Sequence, residues 1–319
     1  MGSLKALFIA GVVATGATAA ARAADLPPAP PLEPVAPAVA EFSGWYLRAD
    51  VGVGVNADPK LSTTPNPLNG NPSFTDAAGN TYVGAFNSYN FFKPSLGASG
   101  FVDIGVGYQF NNWFRADITG EYRGGSSFSA LDTLNDSGTF TTAAGVASPA
   151  SHSLRNFYKG TLSSIVLLAN GYIDLGTWYG ITPYIGAGVG GTQNSLRDTT
   201  DTGFFSTVVG GVSGAPSPTG GFFSDGNKTN LAWAVMAGLG YQVTPNVKLE
   251  MGYRYLNLGE FKSGTPHCAN PDGTFSCAPF ILHGKELASN DFRIGMRWMF
   301  GAPPPPVYEA PPEPIVRKY

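Results

Sequence analysis

The side chains best suited to nucleophilic, redox or metal chemistry in this 319-residue sequence are Cys268, Cys277, His152, His267 and His283. An even number of cysteines in an exported chain reads as a disulfide, Cys268 to Cys277. Closing so short a loop contributes about 2–3 kcal/mol by the chain-entropy model. A zinc site made from these cysteines with His267 and His283 fits no standard ligand spacing, so no metal is expected. His152 precedes Ser153, but neighbours on a chain rarely form a nucleophile–base pair. The three histidines read as solvated loop residues, and no catalytic residue is assigned. GVGGT at 188–192 has no helix after it to receive a phosphate. No cofactor is expected.

A second set of residues does its chemistry through charge. Val247, Leu249, Met251, Tyr253 and Tyr255 alternate with Lys248, Glu250, Gly252 and Arg254. The same period of two recurs at 45–53, 113–123 and 291–300. It marks strands with one apolar and one charged face. Collected over all strands, the charged face holds Arg48, Asp50, Asp103, Arg115, Asp117, Glu121, Arg123, Lys248, Glu250, Arg254, Asp291, Arg293 and Arg297. A soluble sandwich turns such a face to water. A membrane barrel turns it into the lumen and gives the apolar face to lipid.

The elements that position these charges number eight. Besides the strands just named they fall at 100–110, 161–175, 178–190 and 229–243. The segment 161–175 alternates poorly, with Val166 and Leu168 on the same face as Asn170 and Asp174, so its register is open. The connections alternate in length. Asn111-Asn112, Gly176-Thr177 and Thr244-Pro245-Asn246 are hairpin-sized. Segments 54–99, 124–160, 191–228 and 259–288 are long and rich in Gly, Ser, Thr, Asn and Asp. Short turns on one side and long loops on the other favour the barrel. The expected fold class is all-β: an eight-stranded antiparallel transmembrane β-barrel with short periplasmic turns and long extracellular loops.

The ends of the chain and its composition agree with export. Lys5, the apolar run from Ala6 to Ala20 and Ala21-Arg22-Ala23 form a cleavable signal peptide over 1–23. A Pro-rich periplasmic linker follows at 24–41, the barrel at 42–300 and a Pro-rich periplasmic tail at 301–319. Charged residues make up 13% of the chain, about half the usual share of soluble domains. The formal net charge of −3 offers no basic field, so no nucleic acid is expected as a partner. Trp45, Trp113, Trp178, Tyr179, Trp233, Tyr241, Trp298 and Phe300 fall near strand ends, where an interfacial girdle would sit.

FSGWYLRADVGVG at 42–54, ITPYIGAGVG at 181–190, AWAVMAGLGYQVTPNVKLEMGYRYLNLGEF at 232–261 and DFRIGMRWMF at 291–300 carry a family resemblance. The chain resembles the alphaproteobacterial small outer-membrane surface antigens, the Omp25/Omp31-like group, within the OmpA-like eight-stranded barrel class. The resemblance implies an outer-membrane protein, with Phe300 as the aromatic signal read by the barrel-assembly machinery. Its loops are longer than the family's, and a tail follows Phe300 where such chains normally stop. Some relatives in the family resemble haemin-binding proteins.

An eight-stranded barrel is just wide enough for its own side chains. Charges packed inside it persist only as hydrogen-bonded pairs, so the lumen is expected to be plugged by salt bridges. The first expected role is structural support of the envelope. A narrow porin-like channel for small solutes is one alternative, and loop-mediated binding of a ligand or host, haemin included, is another. Expected partners are outer-membrane lipids, the assembly machinery, and peptidoglycan or a periplasmic protein through the Pro-rich tails.

Overall fold

The computed structural model describes residues 43–269 and 279–300. The expected signal peptide (1–23), the linker (24–41), the tail (301–319), Phe42 and Cys277 lie outside the described residues.

Strand covers most of each of the eight segments read from the sequence. These are β1 (Gly44–Asn56), β5 (Ser99–Gln109), β6 (Phe114–Thr141), β7 (Ala147–Asp174), β8 (Ile181–Val209), β11 (Gly226–Thr244), β12 (Val247–Lys262) and β14 (Ile281–Met299). Six more strands join them: β2 (Lys60–Thr64), β3 (Ser73–Thr75), β4 (Thr81–Leu96), β9 (Val212–Ser213), β10 (Ser217–Phe223) and β13 (Pro266–Cys268). All described pairings are antiparallel. β1 pairs with β5 and β14, and β7 bridges β6 and β8. β8 continues to β11, β11 to β12, and β12 to β14.

The expected eight-stranded barrel with long loops is corrected by this topology. The chain forms one branched sheet of fourteen strands. β8 has four partners, β7, β9, β10 and β11. β4 takes the edge of β6 beyond the end of β5, and β2 pairs with β14. The ladder is irregular, with register breaks at Arg123/Ser126, Lys159/Thr161 and Asn257/Gly259. The overturning finding lies in the four long segments read as loops. The first holds β2, β3 and β4, and the second holds the outer halves of β6 and β7. The third holds the outer half of β8 with β9 and β10, and the fourth holds β13 and the start of β14. The physical reason is pairing. A strand that outruns its neighbour exposes a row of backbone donors and acceptors, and the next stretch of chain satisfies them.

Burial follows the alternation. Along β1, Tyr46, Arg48 and Asp50 are buried while Trp45, Leu47, Val51 and Val53 are exposed. Along β7 the residues from Leu162 to Asp174 at even positions face inward, Val166 and Leu168 together with Asn170 and Asp174. This explains the poor alternation of 161–175. The strand crosses from an apolar layer of the interior into a charged one, so its inward face changes chemistry while its period does not. The apolar layer is built by Phe128, Leu162, Leu196, Leu256, Phe261 and Leu282, all buried in one cluster.

Candidate functional site

Of the thirteen charges read from the alternation, all but Lys248 are buried, and ten of them meet in three knots. In the first, Arg123 and Arg254 share Asp291 and Glu121. Arg123 donates to Asp291 at 2.8 Å and to Glu121 at 2.8 Å, and Arg254 donates to Asp291 at 2.7 Å and to Glu121 at 2.5 Å. In the second, Arg48 donates to Asp50 at 2.8 Å and to Asp117 at 3.0 Å, and Tyr46 adds its hydroxyl to Asp117 at 3.0 Å. Glu250 centres the third, with Arg297 at 3.2 Å, Arg115 at 3.4 Å and Arg48 at 3.6 Å. Two glycines make room for these groups. A Cβ on Gly295 would meet the Asp50 carboxylate, and one on Gly54 would meet Arg123, Ser289 and Asp291.

Three members stand apart. Neither oxygen of Asp103 has a hydrogen-bond partner among the described residues, and its nearest cation is Arg254 at 4.0 Å. Arg293 is buried with its Nη2 unpartnered. Lys248 is half-buried beside Arg297, its cross-strand neighbour.

Sequence reasoning missed the neutral and late members of the cluster. Asp174 pairs with Arg115 at 3.2 Å. The Arg115 guanidinium lies over the Tyr172 ring at 4.0 Å from its centroid, and Arg123 lies over Phe101 at 4.9 Å. The signal for Asp174 was present in the shared parity of Asn170 and Asp174. Phe300 follows the last strand, exposed, with its amide donating to the Trp45 carbonyl at 2.8 Å.

Outward, the same strands carry an unbroken apolar band: Val51, Ile104, Ile118, Leu167, Val235, Met251 and Ile294 are all exposed. The eight aromatic residues assigned to strand ends are exposed as well. We call this part of the protein the body. Beyond the band, β6, β7 and β8 run on with β4 and β10, and we call that part the extension. Its inward face holds two polar clusters. Asp132 accepts from Tyr158 at 2.8 Å and from Tyr89 and Asn156 at 3.1 Å each. Asp201 lies nearby with Oδ1 buried and unpartnered. Burial, reinforced by the Asp132 charge, pushes the Asp201 carboxyl up to about 7. Burial also raises Asp132 above the ordinary carboxylate range, against the pull of its hydrogen bonds.

The second cluster corrects the reading of His152 as a solvated loop residue. His152 is a buried strand residue whose Nδ1 is 2.8 Å from Asp136, and Tyr82 donates to the same carboxylate at 2.5 Å. Its ring stacks on Phe205 at 5.1 Å. His267, on β13, stacks on Phe222 at 4.8 Å and lies 3.0 Å from the Ser224 hydroxyl. His283, on β14, sits opposite Lys262 and Ser62. Among the described residues no cluster of His, Cys, Asp and Glu is arranged to hold a metal.

A protein-family model described as Opacity family porin protein matches residues 106–268. An uncharacterized protein of Brucella suis is 29% identical over 217 residues, 68% of each chain. A putative adhesin of Rickettsia bellii is 28% identical over 254 residues, 80% of this chain and 87% of the relative. The crystal structure of Neisserial surface protein A aligns at 18% identity over 81% of this chain and 99% of its own, with a TM-score of 0.33. The relationship is thus a distant one to outer-membrane porins and surface antigens, and it does not single out the Omp25/Omp31-like group. With more than half of its length matched by the family model, the chain belongs to the Opacity family of porin proteins, non-enzymatic proteins of the bacterial outer membrane.

Proposed function

We propose that this protein is a surface-binding protein of the outer membrane: the body holds it in lipid and the extension carries recognition. The observation that supports this reading most directly is the length of β6, β7 and β8, at 28, 28 and 29 residues. Crossing the hydrocarbon takes about 9–11 residues of a tilted strand. Roughly half or more of each strand therefore stands outside the apolar band. A sheet that projects this far presents a fixed surface, where mobile loops would lose conformational entropy on binding. The putative adhesin relative points the same way.

This reading shifts the weight from envelope support to binding. The ion-pair knots and the apolar layer lie on the inward face at successive levels, and both fill space that a solute path would need. They stabilise the body and carry no transport in this account. Val146 and Val212, 61% and 73% exposed, sit at strand junctions of the extension, open to a partner.

The test is adhesion. The protein is displayed on an otherwise non-adherent Gram-negative host, and bacteria retained on cultured epithelial cells are counted. Several-fold retention over the empty host is expected, falling with V146D/V212D at unchanged surface display. Retention equal to the empty host would sink the binding reading. In planar bilayers the refolded protein is expected to be silent, and steady discrete openings would restore the channel.

A further inference from the structure

The outward face of the extension is neither lipid-like nor simply hydrophilic. Strand register aligns it into rows. Phe92 on β4 lies opposite Leu131 on β6, and Leu131 lies opposite Phe157 on β7. One row further from the band, Arg155 lies opposite Phe204 on β8. One row nearer the band, Lys159 lies opposite Thr200, which pairs with Phe222 on β10. Phe92, Phe157, Phe204 and Phe222 are 44–54% exposed, and Arg155 and Lys159 are exposed between them. None of the residues that complete these rows is acidic; Asp198 lies past the nearest row. Four half-exposed phenylalanines thus lie on neighbouring strands among polar and basic residues, Phe222 with one face stacked on His267.

Position and charge select the occupant. On β7 the last apolar residues of the band are Leu167 and Ile165, and Phe157 lies eight residues before Ile165. At ~3.3 Å per residue and a tilt of about 40°, that is roughly 20 Å above the hydrocarbon. An outer leaflet of anionic glycolipid carries its phosphorylated core sugars at that level. Ring faces suit the apolar faces of pyranoses, and Arg and Lys suit phosphate. The face stands on the same strands as the band, above Ser163 and Thr161 on β7, so the head-group layer of the surrounding leaflet lies at its level.

We propose that the Phe92–Phe157–Phe204 face with Arg155 and Lys159 is a docking surface for the phosphorylated core oligosaccharide of outer-leaflet glycolipid. The surface fastens the extension upright in the sugar layer. This rests on the reading of the band as lipid-facing.

The experiment places the refolded protein in nanodiscs of neutral phospholipid and titrates rough lipopolysaccharide, following intrinsic tryptophan fluorescence. The comparison proteins are R155E/K159E and F157S/F204S. All four positions are outward and exposed, so folding should survive, and heat-modifiable gel mobility checks it. Wild type is expected to bind with an affinity at least fivefold tighter than either variant. Phosphatidylglycerol, anionic but sugar-free, should give no comparable change. Equal affinity in wild type and folded variants would overturn the proposal, as would an equal response to phosphatidylglycerol. Soluble heparin binding the wild type as tightly as lipopolysaccharide would also overturn it, by showing a general anionic-glycan surface. In each of those cases nanodisc insertion leaves the lipid-facing reading intact. Failure of the wild type to enter a bilayer of any composition would remove both.

Discussion

The body and the extension are drawn from the same strands and keep the same period of two, yet their faces are built on opposite rules. In the body, charge points inward and apolar side chains point out: Arg48 and Asp50 are buried while Leu47 and Val51 are exposed. In the extension the inward face mixes apolar Phe128 with the hydrogen-bonded Asp132, and the outward face is Ser127, Ser129, Thr200 and Thr202 with a few rings. Alternation therefore reports a strand with two environments and not which environment is wet. What separates the two regions is how the buried polar groups are satisfied. The body uses ion pairs between strands, and the extension uses neutral donors around isolated carboxylates.

The largest effect is expected where a shared cation is removed from the body. Arg254 joins Glu121 and Asp291, and its side chain is 1% exposed. Arg254→Ala leaves two carboxylates sharing Arg123 alone, a loss of about 3–5 kcal/mol. Urea unfolding of the liposome-inserted protein measures it. Arg155→Ala, on the outward face of the extension, should stay within about 0.5 kcal/mol. Equal losses would erase the contrast between the two regions.

Next comes the apolar layer that divides them. Leu256 is fully buried in the cluster with Phe261 and Leu287. Leu256→Ala deletes methyl groups and leaves a cavity, a loss of about 2–5 kcal/mol by the same unfolding assay. A loss below about 1 kcal/mol would mean that the layer is loosely packed and open to water.

The extension should respond to pH where Asp201 titrates. Its folded-state carboxyl is raised to about 7, above the ordinary value of about 3.9. Between these values the folded protein binds the proton that the unfolded chain has lost. Stability from this group is therefore fully present below about 4 and falls as pH rises to 7. The thermal midpoint in detergent should drop by a few degrees over that window. Asp201→Asn keeps the shape without the charge and should flatten the profile. An unchanged slope in that variant would remove Asp201 as the cause.

The sequence made the body legible and hid the extension. Alternating runs such as 247–255 and the hairpin-sized connections placed strand at every one of the eight segments, because apolar band and charged interior contrast sharply there. The inward charges could be named for the same reason. Segments 124–160 and 191–228 hid their strands behind Gly, Ser, Thr and Asn, residues that mark loops when nothing shows their partners. Thr133, Thr139, Thr200 and Thr202 are strand residues whose value lies in pairing with distant chain. His152 was misread for that reason: its environment is set by Asp136, Tyr82 and Phe205 on three other strands, and no local spacing announces them.

The smallest effect is the sharpest check on the idea that burial, rather than pairing itself, makes the body's ion pairs matter. Lys60 and Glu286 approach to 2.7 Å, as close as Arg254 and Asp291, but their side chains are 74% and 65% exposed. Water screens the exposed pair, and two long side chains lose rotamer freedom to hold it. Lys60→Ala should therefore cost less than about 1 kcal/mol, and that cost should shrink as salt is added. A cost near that of Arg254→Ala would show that distance alone governs these pairs. The contrast between a dry body and a wet extension would then need a different cause.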